Sequence, residues 1–161
     1  MIHDVITTYH HEMQALLERW EWCIPRAAFV LSLLDPEAEA FQAKGSPPRI
    51  LSLRCLDLDP CLLRVEELAR LEAAQRCRIY TPAQATLVAL RLYELQLLAR
   101  PVTLYVHGGA AVSCSVSLAA AVRWWWNGQS LARTELPPNG WVFYLTLEAL
   151  MQNLPSTRRW E

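Results

Sequence analysis

The chain has 161 residues, with 15 basic and 16 acidic side chains and a net charge of −1. Hydrophobic residues make up 53% and charged residues 19%, with a mean hydropathy of +0.10, which excludes a disordered polyelectrolyte and supplies enough apolar surface for one core. The balanced charge leaves neither a basic stripe for nucleic acid nor an acidic tail, and the longest weakly charged stretch, Pro101 to Ala121, is broken by Gly108, Gly109 and several serines, so no membrane span is expected.

Residues 1–21 read as an N-terminal helix, because from Thr7 to Trp20 the apolar residues Met13, Leu16, Leu17 and Trp20 recur at helical spacing. His10-His11-Glu12 looks like a metal-binding start, but Ala15 stands where the helical ligand pattern needs a second histidine, so a solvated helix face is expected there and no metal. Ala27 to Leu34 is a continuous apolar run ended by Asp35-Pro36, which suits a strand buried on both faces. A loop through Pro48 follows, then a second strand from Arg49 to Leu53 leading into Cys55-Leu56-Asp57-Leu58-Asp59-Pro60.

Leu62 to Arg76 has helical spacing, and Thr81 to Ala99 opens with a complete start signal: Thr81 as N-cap, Pro82 at the first helical position and Gln84 where a capping box places it. Leucines and valines surround much of this second helix, which predicts burial between the sheet and a further layer. Thr103 to Val106 reads as a third strand, His107 to Ser115 as a loop, Ser115 to Trp126 as a helix stopped by Asn127-Gly128, and Trp141 to Leu154 as a last helix after the turn Pro137-Pro138-Asn139-Gly140. The tail 155–161 is expected to fray. Strands alternating with helices predict one α/β domain over 1–161, a three-layer sandwich whose short, mainly parallel sheet is flanked by helices.

The five cysteines, Cys23, Cys55, Cys61, Cys77 and Cys114, are odd in number, form no C-x-x-C pair and follow no signal segment, which predicts reduced thiols in a cytoplasmic protein. All but Cys114 are expected to behave as small core hydrophobes. Trp124-Trp125-Trp126 span about 200° of a helix, so they cannot all enter one core face. That predicts either a contact surface for another protein or coverage by the chain's own terminal helices.

In parallel sheets ligands bind beyond the carboxyl ends of the strands, where a loop meets a helix N-terminus, and the segment after Val106 has that order. Here His107-Gly108-Gly109-Ala110-Ala111-Val112-Ser113-Cys114-Ser115, followed by a helix of small apolar residues, resembles the signature H-C-x-x-G-x-x-R-S of the cysteine-based protein tyrosine and dual-specificity phosphatases, particularly small bacterial members. Val30 to Pro36 is similar to that family's early strand and turn, and Leu53 to Leu58 to a strand end carrying an acidic residue, here Asp57. The likeness covers residues 22–150 and implies a phosphatase-like core.

The departures matter more than the matches. Gly108 stands where the family has its attacking thiolate, Cys114 where it has the arginine that grips the phosphoryl oxygens, and Ala111 where it has a glycine. The resemblance therefore implies a catalytically inactive phosphatase-fold protein, without cofactor, acting as a protein-binding or assembly factor. Asp57 would be a remnant of the general acid or a residue capping a turn. Two other readings stay open: an enzyme of atypical chemistry using Cys114 near a helix N-terminus, and a module that holds phosphate, sulfate or a carboxylate in the 107–115 loop without turnover.

Overall fold

The structure, a computed structural model, describes residues 1–44, 49–73, 79–109, 112–127 and 137–153. Four strands, β1 (Ile2–Thr8), β2 (Ala28–Leu34), β3 (Ile50–Arg54) and β4 (Val102–Gly108), form one all-parallel sheet in the order β1-β4-β2-β3. Among the described residues the helices are α1 (His10–Arg19), α2 (Val65–Ala73), α3 (Pro82–Gln96), α4 (Val112–Asn127) and α5 (Gly140–Asn153), with a 3-10 turn at Pro60–Leu62. The expected α/β class is present, as are the strands near 27–34, 49–53 and 103–106.

The core lies on both faces of the sheet. Phe29, Leu31 and Leu33 of β2 and Leu104 and Val106 of β4 point into the larger cluster, with Val88 and Leu92 of α3, Leu118 and Val122 of α4, and Val142 and Leu150 of α5. The alternate residues Val30 and Tyr105 face Met13 and Leu17 of α1 in the smaller cluster. Both faces are covered, so every side chain of β2 is buried, which is why this strand is a continuous apolar run in the sequence.

The largest correction concerns the N-terminus. Residues 1–21 are not one helix: Ile2–Thr8 is an edge strand paired in parallel with β4, and α1 begins only at His10. A register shift between Ile2 and Asp4 lets Ile2 and Val5, three residues apart, reach the same core cluster. That bulge replaces the two-residue alternation of a strand with a spacing that sequence patterning assigns to helices. At the other end of α1, Glu21 and Trp22 both adopt left-handed backbone, φ 52° and 63°, which turns the Trp22 ring onto Phe41.

Other expectations shift by less. The helix over Leu62 to Arg76 divides into the 3-10 turn and α2, and Leu62 and Val65 are exposed rather than packed. Gly45 to Pro48, the 74–78 segment with Cys77, the 128–136 segment and the 155–161 tail lie outside the described residues. Helix α3 is not apolar on all sides in its packing: Ala85, Val88, Ala89, Leu92 and Leu95 are buried, whereas Leu87 and Leu90 are exposed. Cys55 is buried as a small core hydrophobe should be, whereas Cys23 and Cys61, expected in the core as well, are exposed; Cys114, which lies outside that expectation, is also buried.

The capping box of α3 forms as the sequence indicates. Gln84 N donates to Thr81 Oγ1 at 3.2 Å, Thr81 N donates to Gln84 Oε1 at 2.9 Å, and the Gln84 amide also donates to Arg54 O at 2.9 Å, tying the helix start to the end of β3. Thr81→Ala is expected to lower the unfolding free energy by about 1 kcal/mol and Tm by about 2–4 °C for a chain of this size. Calorimetry checks it, and an unchanged Tm would mean that the box contributes nothing.

Candidate functional site

The carboxyl ends of β2, β3 and β4 bring Asp35, Cys55, Asp57 and Gly109 to one rim, where α4 and α5 begin. Pairing continues just past the strands: Cys55 N donates to Leu34 O at 2.9 Å and Gly109 N to Leu33 O at 3.0 Å. Gly109 packs closely beside Asp35: a Cβ there would lie 3.1 Å from Asp35 Oδ2, so a larger residue would require the carboxylate to shift by a few tenths of an ångström.

The 107–115 segment is not one loop. His107 and Gly108 belong to β4, Ala110 and Ala111 lie outside the described residues, and α4 starts at Val112, three residues before the expected Ser115. Ser113 and Cys114 therefore occupy the first turn of a helix, whose unpaired N–H groups and dipole attract negative charge. That charge comes from the chain itself. Asp57 Oδ1 accepts hydrogen bonds from Ser113 Oγ, from Cys114 Sγ at 3.1 Å and from Asn139 Nδ2 at 3.5 Å.

A second carboxylate meets the start of α5, there through a backbone N–H rather than through side chains. Asp59 Oδ2 accepts from Trp141 N at 3.3 Å, while Asp59 Oδ1 accepts from Cys61 N at 2.9 Å. Asn139 caps α5, with Val142 N donating to its Oδ1 at 3.0 Å and its own N–H donating to Ser117 Oγ on α4 at 2.8 Å. The short segment from Cys55 to Asp59 thus ties the starts of both C-terminal helices to the end of β3.

Cys114 is fully buried, and its thiol contacts Cys55, Asp57 and the Asn139 amide, the last at 3.5 Å. The hydrogen bond with Cys55, burial and the adjacent Asp57 carboxylate all push the Cys114 thiol far above the ordinary thiol range. It stays protonated at physiological pH, and a protonated thiol is a poor nucleophile and a poor metal ligand.

His107 does not join this rim group. It shares a register row with Thr8 and Ser32 on the α1 face, beside His10 and Phe41 at ring-centroid distances of 5.8 and 5.3 Å. Burial holds the His107 imidazole down at about pKa 4, with the nearby His10 adding to the effect and the backbone carbonyl of Gly108 opposing it. His10 is no solvated residue either, since its ring stacks on Phe41 at 4.6 Å. Sequence patterning missed Asn139, Cys55 and His10, because each is recruited by an element distant in the chain; only the Asn139-Gly140 turn carried a local signal.

The tryptophans Trp124, Trp125 and Trp126 are all half-buried, with Trp125 against the main core and its ring 5.9 Å from that of Trp126. Among the described residues no three His, Cys, Asp or Glu side chains form a metal-holding group, and no helix is long and apolar enough to cross a membrane. No family model, no curated protein and no solved structure matches the chain.

Two consequences can be measured. Asp57→Ala leaves the Ser113 hydroxyl, the Cys114 thiol and the Asn139 amide without their shared acceptor and is expected to cost about 1–3 kcal/mol in urea unfolding, with Asp57→Asn milder. For His107 the folded pKa lies below the unfolded value of about 6.5, so the unfolded chain binds the extra proton between pH 6.5 and 4. His107 then contributes its full stability above about pH 6.5 and loses it as pH falls toward 4, by up to roughly 3 kcal/mol. Unfolding as a function of pH, for the native chain and His107→Gln, checks this; an identical pH dependence for both would refute it.

Proposed function

We propose that this chain is a catalytically inactive protein of phosphatase-like architecture that works by binding another protein, its 107–115 segment serving structure rather than turnover. The observation that carries this reading is the Asp57 carboxylate set on Ser113 and Cys114 in the first turn of α4. That is the place where the resemblance would put a bound phosphoryl group. A phosphate arriving there would meet Asp57 and, nearby, Asp35, and among the described residues no basic side chain bonds either of them. Like charge without a compensating guanidinium repels an anion.

Gly108, at the position of the family's attacking thiolate, carries no nucleophile. Cys114, at the position of the arginine, is buried and protonated. Burial and Asp57 speak against both a Cys114-dependent enzyme and a phosphate or sulfate module. For partner contact the most exposed large apolar residues on the C-terminal helix are Tyr144 and Met151, 65% and 63% accessible and two turns apart on α5. Trp124 to Trp126 offer a smaller, half-buried surface.

An aryl phosphate assay tests the reading. The native chain is expected to show no turnover, and high phosphate no thermal stabilisation. Gly108→Cys combined with Cys114→Arg should give measurable thiol-dependent hydrolysis if the segment is aligned with the family signature. Turnover by the native chain that vanishes in Cys114→Ser would establish the enzyme and overturn the proposal.

A further inference from the structure

The order β1-β4-β2-β3 puts a change of direction between β1 and β4: the helix after β1 packs on one face of the sheet and the helix after β4 on the other. Open parallel sheets bind ligands beside such a point, beyond the carboxyl ends of the strands. On one face the start of α4 is met by Asp57. On the other a groove of about 440 Å³ lies against the first turns of α1, lined by His10 and Gln14 together with Trp22, Glu39, Phe41 and Gln42. Its volume is that of a small-molecule site.

The aromatic walls are held by one another and by the backbone. His10 stacks on Phe41 at 4.6 Å, and Trp22 meets Phe41 at 6.1 Å with the ring planes tilted by 54°, so the two larger rings form a wedge. That wedge depends on unusual backbone. Glu21 N donates to Glu18 O at 2.9 Å and Trp22 N to Leu17 O at 2.7 Å, the closing pattern of a helix end, which needs one left-handed residue and has it in Glu21. Trp22 repeats the left-handed conformation at φ 63°, a strained state for a bulky side chain, and Lys44 N fixes it by donating to Trp22 O at 2.7 Å. Strain that the helix end does not require thus sets an indole in the wall of the groove.

Charge narrows the occupant. Among the described residues that line the groove, Glu39 is the one carboxylate and none is Lys or Arg, which disfavours an anion and attracts a cation. Aromatic faces attract cations as well, within about 6 Å of the ring centroid, a distance that a single ammonium can keep from two centroids 6.1 Å apart. A methylated ammonium suits such walls, because its methyl groups pack on the rings while its charge meets their faces. We propose that this groove binds a small organic cation through a methylated ammonium group, seated in the wedge of Trp22 and Phe41 with Glu39 as its counter-charge. The site lies on the opposite face from Asp57 and Cys114 and does not depend on the phosphatase-like reading.

Calorimetric titration of the full chain with choline is expected to show one saturable site in the millimolar range or tighter. Its uncharged isostere, with a tert-butyl group in place of the trimethylammonium, should bind about tenfold more weakly, because the attraction of the rings needs the charge. Trp22→Leu and Glu39→Gln should each weaken choline binding several-fold, and Trp22→Phe should lose less than Trp22→Leu. Because Trp22→Leu could disturb the turn, nitrogen-15 NMR of the native chain supplies a second readout: choline should shift the indole N–H of Trp22 and leave in place that of Trp141, which donates to Tyr80 O. No saturation at tens of millimolar choline, equal binding of the isostere, or unchanged affinity in Glu39→Gln would each overturn the site. So would a trimethyllysine peptide that binds where choline does not, since the groove would then read another protein.

Discussion

Two carboxylates on a single connection, Asp57 and Asp59, meet the starts of the two C-terminal helices, and the arrangement of the rim depends on that meeting. Helix N-termini in a parallel α/β sheet gather unpaired donors and partial positive charge where the strands end. A protein that binds anions leaves this field open to the ligand. Here the field is answered internally, and the geometry of α4, α5 and β3 is locked together by it. Asn139 strengthens the lock because one side chain caps α5 through Oδ1 and reaches Asp57 and Cys114 through Nδ2.

The same constraint decides the chemistry of Cys114. A thiol in the first turn of a helix ordinarily gains acidity from the dipole. Beside a carboxylate and a second thiol, and sealed from water, it loses that acidity, because a thiolate there would be an additional negative charge without solvent. Position along the helix alone would have suggested a reactive cysteine; its neighbours reverse the sign.

The two faces of the sheet then serve different ends. The α3, α4 and α5 face carries the large core and the acid-filled rim, whereas the α1 face ends in a row of Thr8, His107 and Ser32, with the Phe41 ring beside His107. Adjacent residues of one strand supply both: Val106 points into the main core and His107 to the other side. Reading His107 as part of a loop with Ser113 and Cys114 follows from their closeness in sequence, and the strand's alternation separates them.

What the sequence determined by itself is what local physics fixes. The continuous apolar run of β2 required two covered faces, Thr81-Pro82 with Gln84 required a helix start, and Asn139-Gly140 marked the entrance to α5. Tertiary structure alone decided the rest. The bulge in β1 hid a strand because pairing with β4, about a hundred residues away in the chain, fixes which side chains face inward. Asp57 became the occupant of a helix start, and His10 the neighbour of His107, through contacts between segments whose sequences carry no mark of one another. Periodicity reports the face a residue presents, whereas the identity of what it meets there follows from how the strands are ordered, and that ordering is set by the summed burial of the whole sheet.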